Sequence, residues 1–187
     1  MTLQGQQTVI DAKQLFASKQ EQEWIELAQN GDRQAFQQLY QLHIGRVYAL
    51  CVRMIADREQ AEDVAQEVFV QVWLKLDKFR GDSKFSTWLH SVATNTALSH
   101  LRKQKNWLQR VFSLEEAANS EPVINDHPEL SDLDKTILRL PEKARLVFVL
   151  FAVEGYRHEE IANMLDMAVG SSKSHYHRAK KLLQEWL

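Results

Sequence analysis

Apolar residues recur along this chain at three- and four-residue steps, the spacing that lines up one face of an α-helix, and no stretch shows the two-residue period of a strand. The pattern predicts an all-α protein. A first helix runs over Glu21 to Gln29, with Trp24, Leu27 and Ala28 on one side, and the turn pair Asn30-Gly31 closes it. Asp32 is placed to cap the next helix, in which Phe36, Leu39, Tyr40, His43, Val47, Leu50, Cys51 and Met54 make a long stripe. Asp57 opens a third, running through Val64, Val68, Val72 and Leu76. After a loop at Asp77 to Ser83 with Gly81 inside it, a fourth helix puts Phe85, Trp88, Leu89, Val92, Ala93, Thr96 and Ala97 on its buried side. Ser91, Asn95, Leu98 and Arg102 fall on a separate flank, about 100° or more from the centre of that stripe.

The stretch Leu140 to Leu187 reads as a helix-turn-helix. Pro141 suits a first helical position, where its missing N–H costs nothing, and Gly155 stops the apolar run Leu146 to Val153. Glu159 to Leu165 is one short helix and Asp166 to Val169 a turn. Val169, Tyr176, Ala179, Leu183 and Trp186 then share one face of a last helix, while Ser174, His177, Arg178 and Lys181 occupy the other. Such a helix packs by its apolar side and offers cations and hydroxyls to a major groove. Basic amphipathic helices are common, so this pattern alone fits a solvated terminal helix equally well.

A net charge of −2 looks wrong for a nucleic-acid binder until its distribution is considered. Ser113 to Asp134 holds Glu115, Glu116, Glu121, Asp126, Glu129, Asp132 and Asp134 with no lysine or arginine. Removing those seven charges from −2 leaves +5 on the rest. With Pro122, Pro128, Asn119, Ser120 and Asn125, and only a short helical turn at Leu114 to Ala118, the segment reads as an acidic linker between two small helical domains. The expected organisation is a polar leader over 1–20, a first domain over 21–105, the linker over 106–132 and a second domain over 133–187. At 44% hydrophobic residues, both bodies have enough apolar side chains for a core.

The single cysteine, Cys51, excludes an internal disulfide framework and fits a reducing compartment; its neighbours Leu50, Val52 and Met54 mark it as a small core residue. No apolar run approaches the roughly 18 residues that span a bilayer, and the N-terminus lacks a secretory pattern. A cytoplasmic protein without membrane insertion is expected. The seven histidines do not assemble a metal site: His158-Glu159-Glu160 lacks the second histidine of a zinc-protease helix, and His175 and His177 point about 200° apart. Neither a glycine-rich phosphate loop nor paired-cysteine spacing occurs, so no catalytic residue, cofactor or metal is expected.

Two blocks carry a resemblance. AEDVAQEVFVQVWLKLDKFRGDSKFSTWLHSVATNTALSHLRK, Ala61 to Lys103, resembles the second conserved region of bacterial sigma factors. LPEK…GYRHEEIA…VGSSKSHYHRAKK resembles their fourth. With only these regions and a short linker, the chain is similar to the extracytoplasmic-function (ECF) group of the sigma-70 family. The resemblance implies a factor that joins core RNA polymerase, directs it to promoters and helps to melt them.

It also implies residue roles. Asp63, Gln66, Glu67 and Phe69 match the pattern that binds the β′ clamp helices; contacts to the β subunit are implied as well. Lys78, Phe79, Arg80, Lys84 and Asn95 lie where the family melts the minus-ten element and captures a flipped base. Opening a duplex needs cations for the backbone and hydrogen-bonding groups for an unstacked base. Trp73 and Trp88 offer stacking surfaces, but their places on or beside apolar stripes favour core packing. Lys173, Ser174, His177, Arg178 and Lys181 stand nearest a minus-thirty-five element, with phosphate contacts giving affinity and a few base contacts giving promoter choice. The acidic linker suits a channel built for a polyanion. An anti-sigma factor is an implied partner.

The chain departs from the family at four places. Arg157 and Ala168 stand where serine caps are frequent, at a cost of about 1 kcal/mol per lost cap. Ser172 replaces an apolar stripe residue, so its hydroxyl faces the core or bonds back within the helix, and His175 replaces a frequent arginine. A less rigid, less cationic second domain is expected, shifting promoter binding toward the minus-ten contacts. Two other function classes fit parts of the pattern: a stand-alone helix-turn-helix regulator leaves the Lys78–Lys84 loop without work, and a helical adaptor needs no DNA at all.

Overall fold

A computed structural model describes residues 18–111 and 131–187, side chains at 107–111 excepted. The leader, the turn expected at Leu114 to Ala118 and most of the acidic segment lie outside the described residues. Those described are helical and contain no strand. In chain order the helices are α1 (residues 18–29), α2 (Arg33–Ile55), α3 (Arg58–Lys75), α4 (Phe85–Val111), α5 (Asp132–Leu138), α6 (Glu142–Phe148), α7 (His158–Leu165) and α8 (Val169–Trp186). A 3-10 turn, Leu76–Lys78, follows α3, and a wider π turn, Val149–Val153, extends α6.

Local chemistry sets the helix starts. Asp32 accepts hydrogen bonds from the amides of Gln34 and Ala35 at 2.8 and 3.0 Å, and Asp57 accepts from Gln60 at 2.9 Å, so both expected caps are in place. Ser131 caps α5 and Asp134 bonds back to it, a reciprocal capping box. Gly155 turns the chain at φ 78°, a left-handed conformation that suits a residue without Cβ, and so ends the Leu146–Val153 run. Ala56 and Asp166 take left-handed positions as helix C-caps without being glycine.

The first body packs α2, α3 and α4 around Leu39, Val47, Leu50, Val68, Val72 and Leu89, all fully buried. Cys51 lies among them and burial pushes its thiol up to about 12, so it is a core residue and not a nucleophile. The α1 stripe is displaced from the expected phase: Ile25 and Ala28 are buried with Trp24 partly so, while Leu27 is 43% exposed. In a helix this short two apolar phases compete, and packing against the neighbouring helices decides between them. Leu98, assigned from periodicity to the flank outside the α4 stripe, is buried. The second body packs α6 and α7 against α8 around Leu146, Val147, Leu150, Ile161, Ala179 and Leu183.

Candidate nucleic-acid interface

On α3, Asp63, Gln66 and Glu67 are exposed along one face, acceptors ready for a partner. Phe69 is not part of that surface. It is 5% exposed, with its ring 4.7 Å from that of Tyr40 and 6.4 Å from that of Phe36, and it holds α3 against α2. Trp73, at 36% exposure, packs edge-on against Phe36, while Val70 and Leu74 stand exposed beside it. Three apolar side chains bordering a row of acceptors make a mixed patch of the kind protein interfaces use.

The loop between α3 and α4 is built as a cationic rim on an aromatic anchor. Lys78, Arg80 and Lys84 are exposed. Phe79 turns inward, 9% exposed, with its ring centroid 5.6 Å from Phe85 and 5.3 Å from Trp88. It therefore positions the loop and offers no open ring face for a base; the same packing occupies Trp88. The Gln29 amide donates to the carbonyls of Leu76 and Phe79 at 3.0 and 2.8 Å, stapling the loop to α1. Gln29 had no sequence signal, because its partners lie 47 and 50 positions away.

Asn95 is exposed on α4, one turn beyond Ser91, whose carbonyl accepts from its amide at 2.8 Å. Arg102, seven residues on, returns to within about 20° of the same face. Its guanidinium donates to the Met164 carbonyl at the end of α7.

On α8, Lys173, Ser174, His177, Arg178 and Lys181 are all exposed and fall within about 140° of arc, so the structure gathers the five expected residues into one surface. Lys180 lies outside it, over the Tyr176 ring at 6.0 Å. His175 is half-buried, and burial, Lys143 and Arg178 together hold its imidazole below the ordinary value, neutral at physiological pH. The cationic face thus rests on lysine and arginine.

The unusual residues of this domain find specific arrangements. Ser172 is fully buried, and its hydroxyl lies 2.9 Å from Nδ1 of His158, tying α8 to α7 instead of bonding back within its own helix. Phe151 stacks on the His158 ring at 4.3 Å. At α7 the Arg157 side chain supplies no cap, but the Glu160 carboxylate accepts the Arg157 amide at 2.7 Å. Ala168 leaves α8 without a side-chain cap. Among the described residues no group of histidine, cysteine and carboxylate side chains is arranged to hold a metal, and no helix is long and apolar enough to cross a membrane.

Comparison with known proteins agrees with this geometry. The family model for sigma-70 region 2 matches residues 39–106, and that for sigma-70 region 4 matches residues 130–183. The RNA polymerase sigma-H factor of Pseudomonas aeruginosa is 31% identical over 187 residues, covering 92% of this chain and 96% of the relative. The ECF RNA polymerase sigma factor SigW of Bacillus subtilis is 32% identical over 176 residues, covering 87% and 94%. Among solved structures, the sigma factor RpoE of Bartonella quintana, in complex with the anti-sigma factor NepR, superposes with a TM-score of 0.55 at 26% identity, covering 80% of this chain and 94% of that one. A first domain matched by region 2 leaves no place for a lone helix-turn-helix regulator or a protein-only adaptor. With a loop-bearing helical bundle ahead of a basic-faced helix-turn-helix, and both bodies matched in order, the chain belongs to the ECF group of the sigma-70 family, the promoter-specificity factors of bacterial RNA polymerase.

Proposed function

We propose that this sigma factor divides its labour among three surfaces. Asp63, Gln66 and Glu67, with the exposed Val70, Trp73 and Leu74 beside them, dock α3 on the β′ clamp helices of core polymerase. Phe69 and Phe79 act beneath the surfaces as packing anchors. Lys78, Arg80 and Lys84 hold the backbone of the minus-ten element while Asn95 recognises an unstacked base during melting. Lys173, Ser174, His177, Arg178 and Lys181 read the minus-thirty-five element from the major groove.

The exposed cationic face of α8 carries the reading most directly, because a buried or scattered set would not fit a groove. The bond-forming chemistry belongs to the polymerase, and the factor works in the cytoplasm alongside it. An anti-sigma partner is supported by the RpoE–NepR complex, in which a related factor is bound by one. The missing cap at Ala168 and the neutral His175 support stronger dependence on the minus-ten contacts than on the minus-thirty-five contacts.

Two variants separate the surfaces. Asp63→Ala/Gln66→Ala/Glu67→Ala is expected to weaken binding to core enzyme about tenfold or more, equivalent to about 1.4 kcal/mol. Asn95→Ala is expected to leave core binding unchanged and to slow open-complex formation. Equal core affinity for the triple variant and the parent chain would remove α3 from the docking surface.

A further inference from the structure

The cationic face of α8 has two edges, and they are finished differently. On one, Lys180 lies over the Tyr176 ring and is held against the fold. Arg178 stands at the other. His175 follows about 60° beyond it on the helix circumference and the buried Ala179 about 40° beyond that, so His175 occupies the shoulder between the exposed face and the core. Helix α6 packs against α8, with Phe148 stacked on Tyr176 at 6.1 Å. Its first turn carries Lys143 up to this shoulder. Burial, and then the charges of Lys143 and Arg178, disfavour a proton on the His175 imidazole.

Three groups of one sign thus converge from two helices. Lys143 and Arg178 are exposed, and neither joins an ion pair among the described residues. Glu142, next to Lys143 in the chain, acts instead on the buried Arg145. Of the charged groups on the helices packed against α8, Lys143 alone acts on His175 among the described residues. Gathering cations without a counter-ion costs stability, and it is the arrangement that an anion site needs. Position dictates which anion. A helix with its side chains is about 10–12 Å across and a major groove about 12 Å wide, so the middle of the α8 face meets base edges while its shoulder meets the groove wall, which is phosphate. A negative charge brought within about 4–6 Å of an imidazole favours its protonated form.

We infer that Lys143, His175 and Arg178 form one composite site for a backbone phosphate at the edge of the minus-thirty-five element, with α6 as its outer wall, and that His175 takes up a proton as the phosphate is seated. The site presupposes that α8 reads that element. It makes the imidazole a conditional cation, neutral in the free chain and charged on DNA. Promoter affinity then rises as the pH falls, because the bound state holds the proton more tightly than the free one.

The test follows reconstituted holoenzyme, made with the full chain, on a promoter duplex that it transcribes. Lys143→Gln is expected to lower the slope of log affinity against log salt by about 0.9, the value for one phosphate contact. Lys143 is exposed, so this variant does not disturb packing. Replacing single phosphates across the minus-thirty-five element by neutral methylphosphonate is expected to reveal one linkage whose neutralisation weakens the parent and leaves Lys143→Gln unchanged. Between about pH 7.5 and 6 the parent is expected to gain at least about threefold more affinity than His175→Gln; His177 is present in both and cancels. An unchanged salt slope for Lys143→Gln, or methylphosphonate effects identical in parent and variant at every linkage, overturns the composite site. Equal pH dependence of the parent and His175→Gln overturns the proton uptake. Failure of the underlying reading is distinct: Lys173→Ala would then leave the salt slope unchanged as well, whereas a slope lowered by Lys173→Ala and not by Lys143→Gln removes only α6 from the DNA.

Discussion

His43 lies in the core of the first domain, 4% exposed, with Nδ1 unpartnered and Nε2 2.9 Å from the Glu21 carboxylate. Burial lowers its pKa below the ordinary 6.5, and Glu21 only partly offsets this. The unfolded chain therefore takes the proton first as the pH falls. Stability owed to His43 is present above 6.5 and is lost as the pH drops through its depressed folded value. His43→Gln is expected to melt with a shallower loss of Tm between about pH 7.5 and 5.5 than the parent; identical slopes would contradict the assignment. Ser172→Ala removes the partner of His158 inside the second domain, at a cost of about 1 kcal/mol. For a body of this size that lowers Tm by about 4–8 °C. A calorimetric scan resolving the second domain checks it, and an unchanged Tm would show that the 2.9 Å contact contributes nothing.

Among the elements, the loop ahead of α4 depends on a staple that no periodicity reveals. Gln29→Ala removes both hydrogen bonds to the Leu76 and Phe79 carbonyls. The loop amides are then expected to exchange at least about tenfold faster, read by hydrogen exchange, with α2 and α3 unaffected. On α8, Lys173→Ala is expected to weaken minus-thirty-five binding at every sequence and to lower the slope of log affinity against log salt by about 0.9, the value for one phosphate contact. An unchanged slope would take Lys173 off the DNA. What was legible in the sequence follows from range: Asp32 and Asp57 cap helices through partners two or three residues away, and Cys51 is surrounded by apolar neighbours in the chain itself. Phe69 and Phe79 match family motif positions yet turn inward, since their rings pack on helices whose approach a motif does not encode. The same holds for Ile25 replacing Leu27 on the buried side of α1.

For the molecule as a whole, the order of two helical bodies was readable because each carries its own motif block, whereas the polar contacts between them were not. Only the docking of distant helices pairs Arg53, His90, Arg102 and Arg145 with Asp134, Glu154 and two carbonyls, partners 62 to 91 positions away in the chain. The central claim is that the two bodies read separate stretches of one promoter. It is tested most directly by transcription from a template library randomised across both elements, with core polymerase and either the parent chain, Asn95→Ala or Arg178→Ala, followed by sequencing of the RNA start sites. The account predicts two conserved blocks upstream of the starts, with Asn95→Ala relaxing only the downstream block and Arg178→Ala only the upstream one. Both substitutions altering the same block, or no initiation with the parent chain, would contradict it.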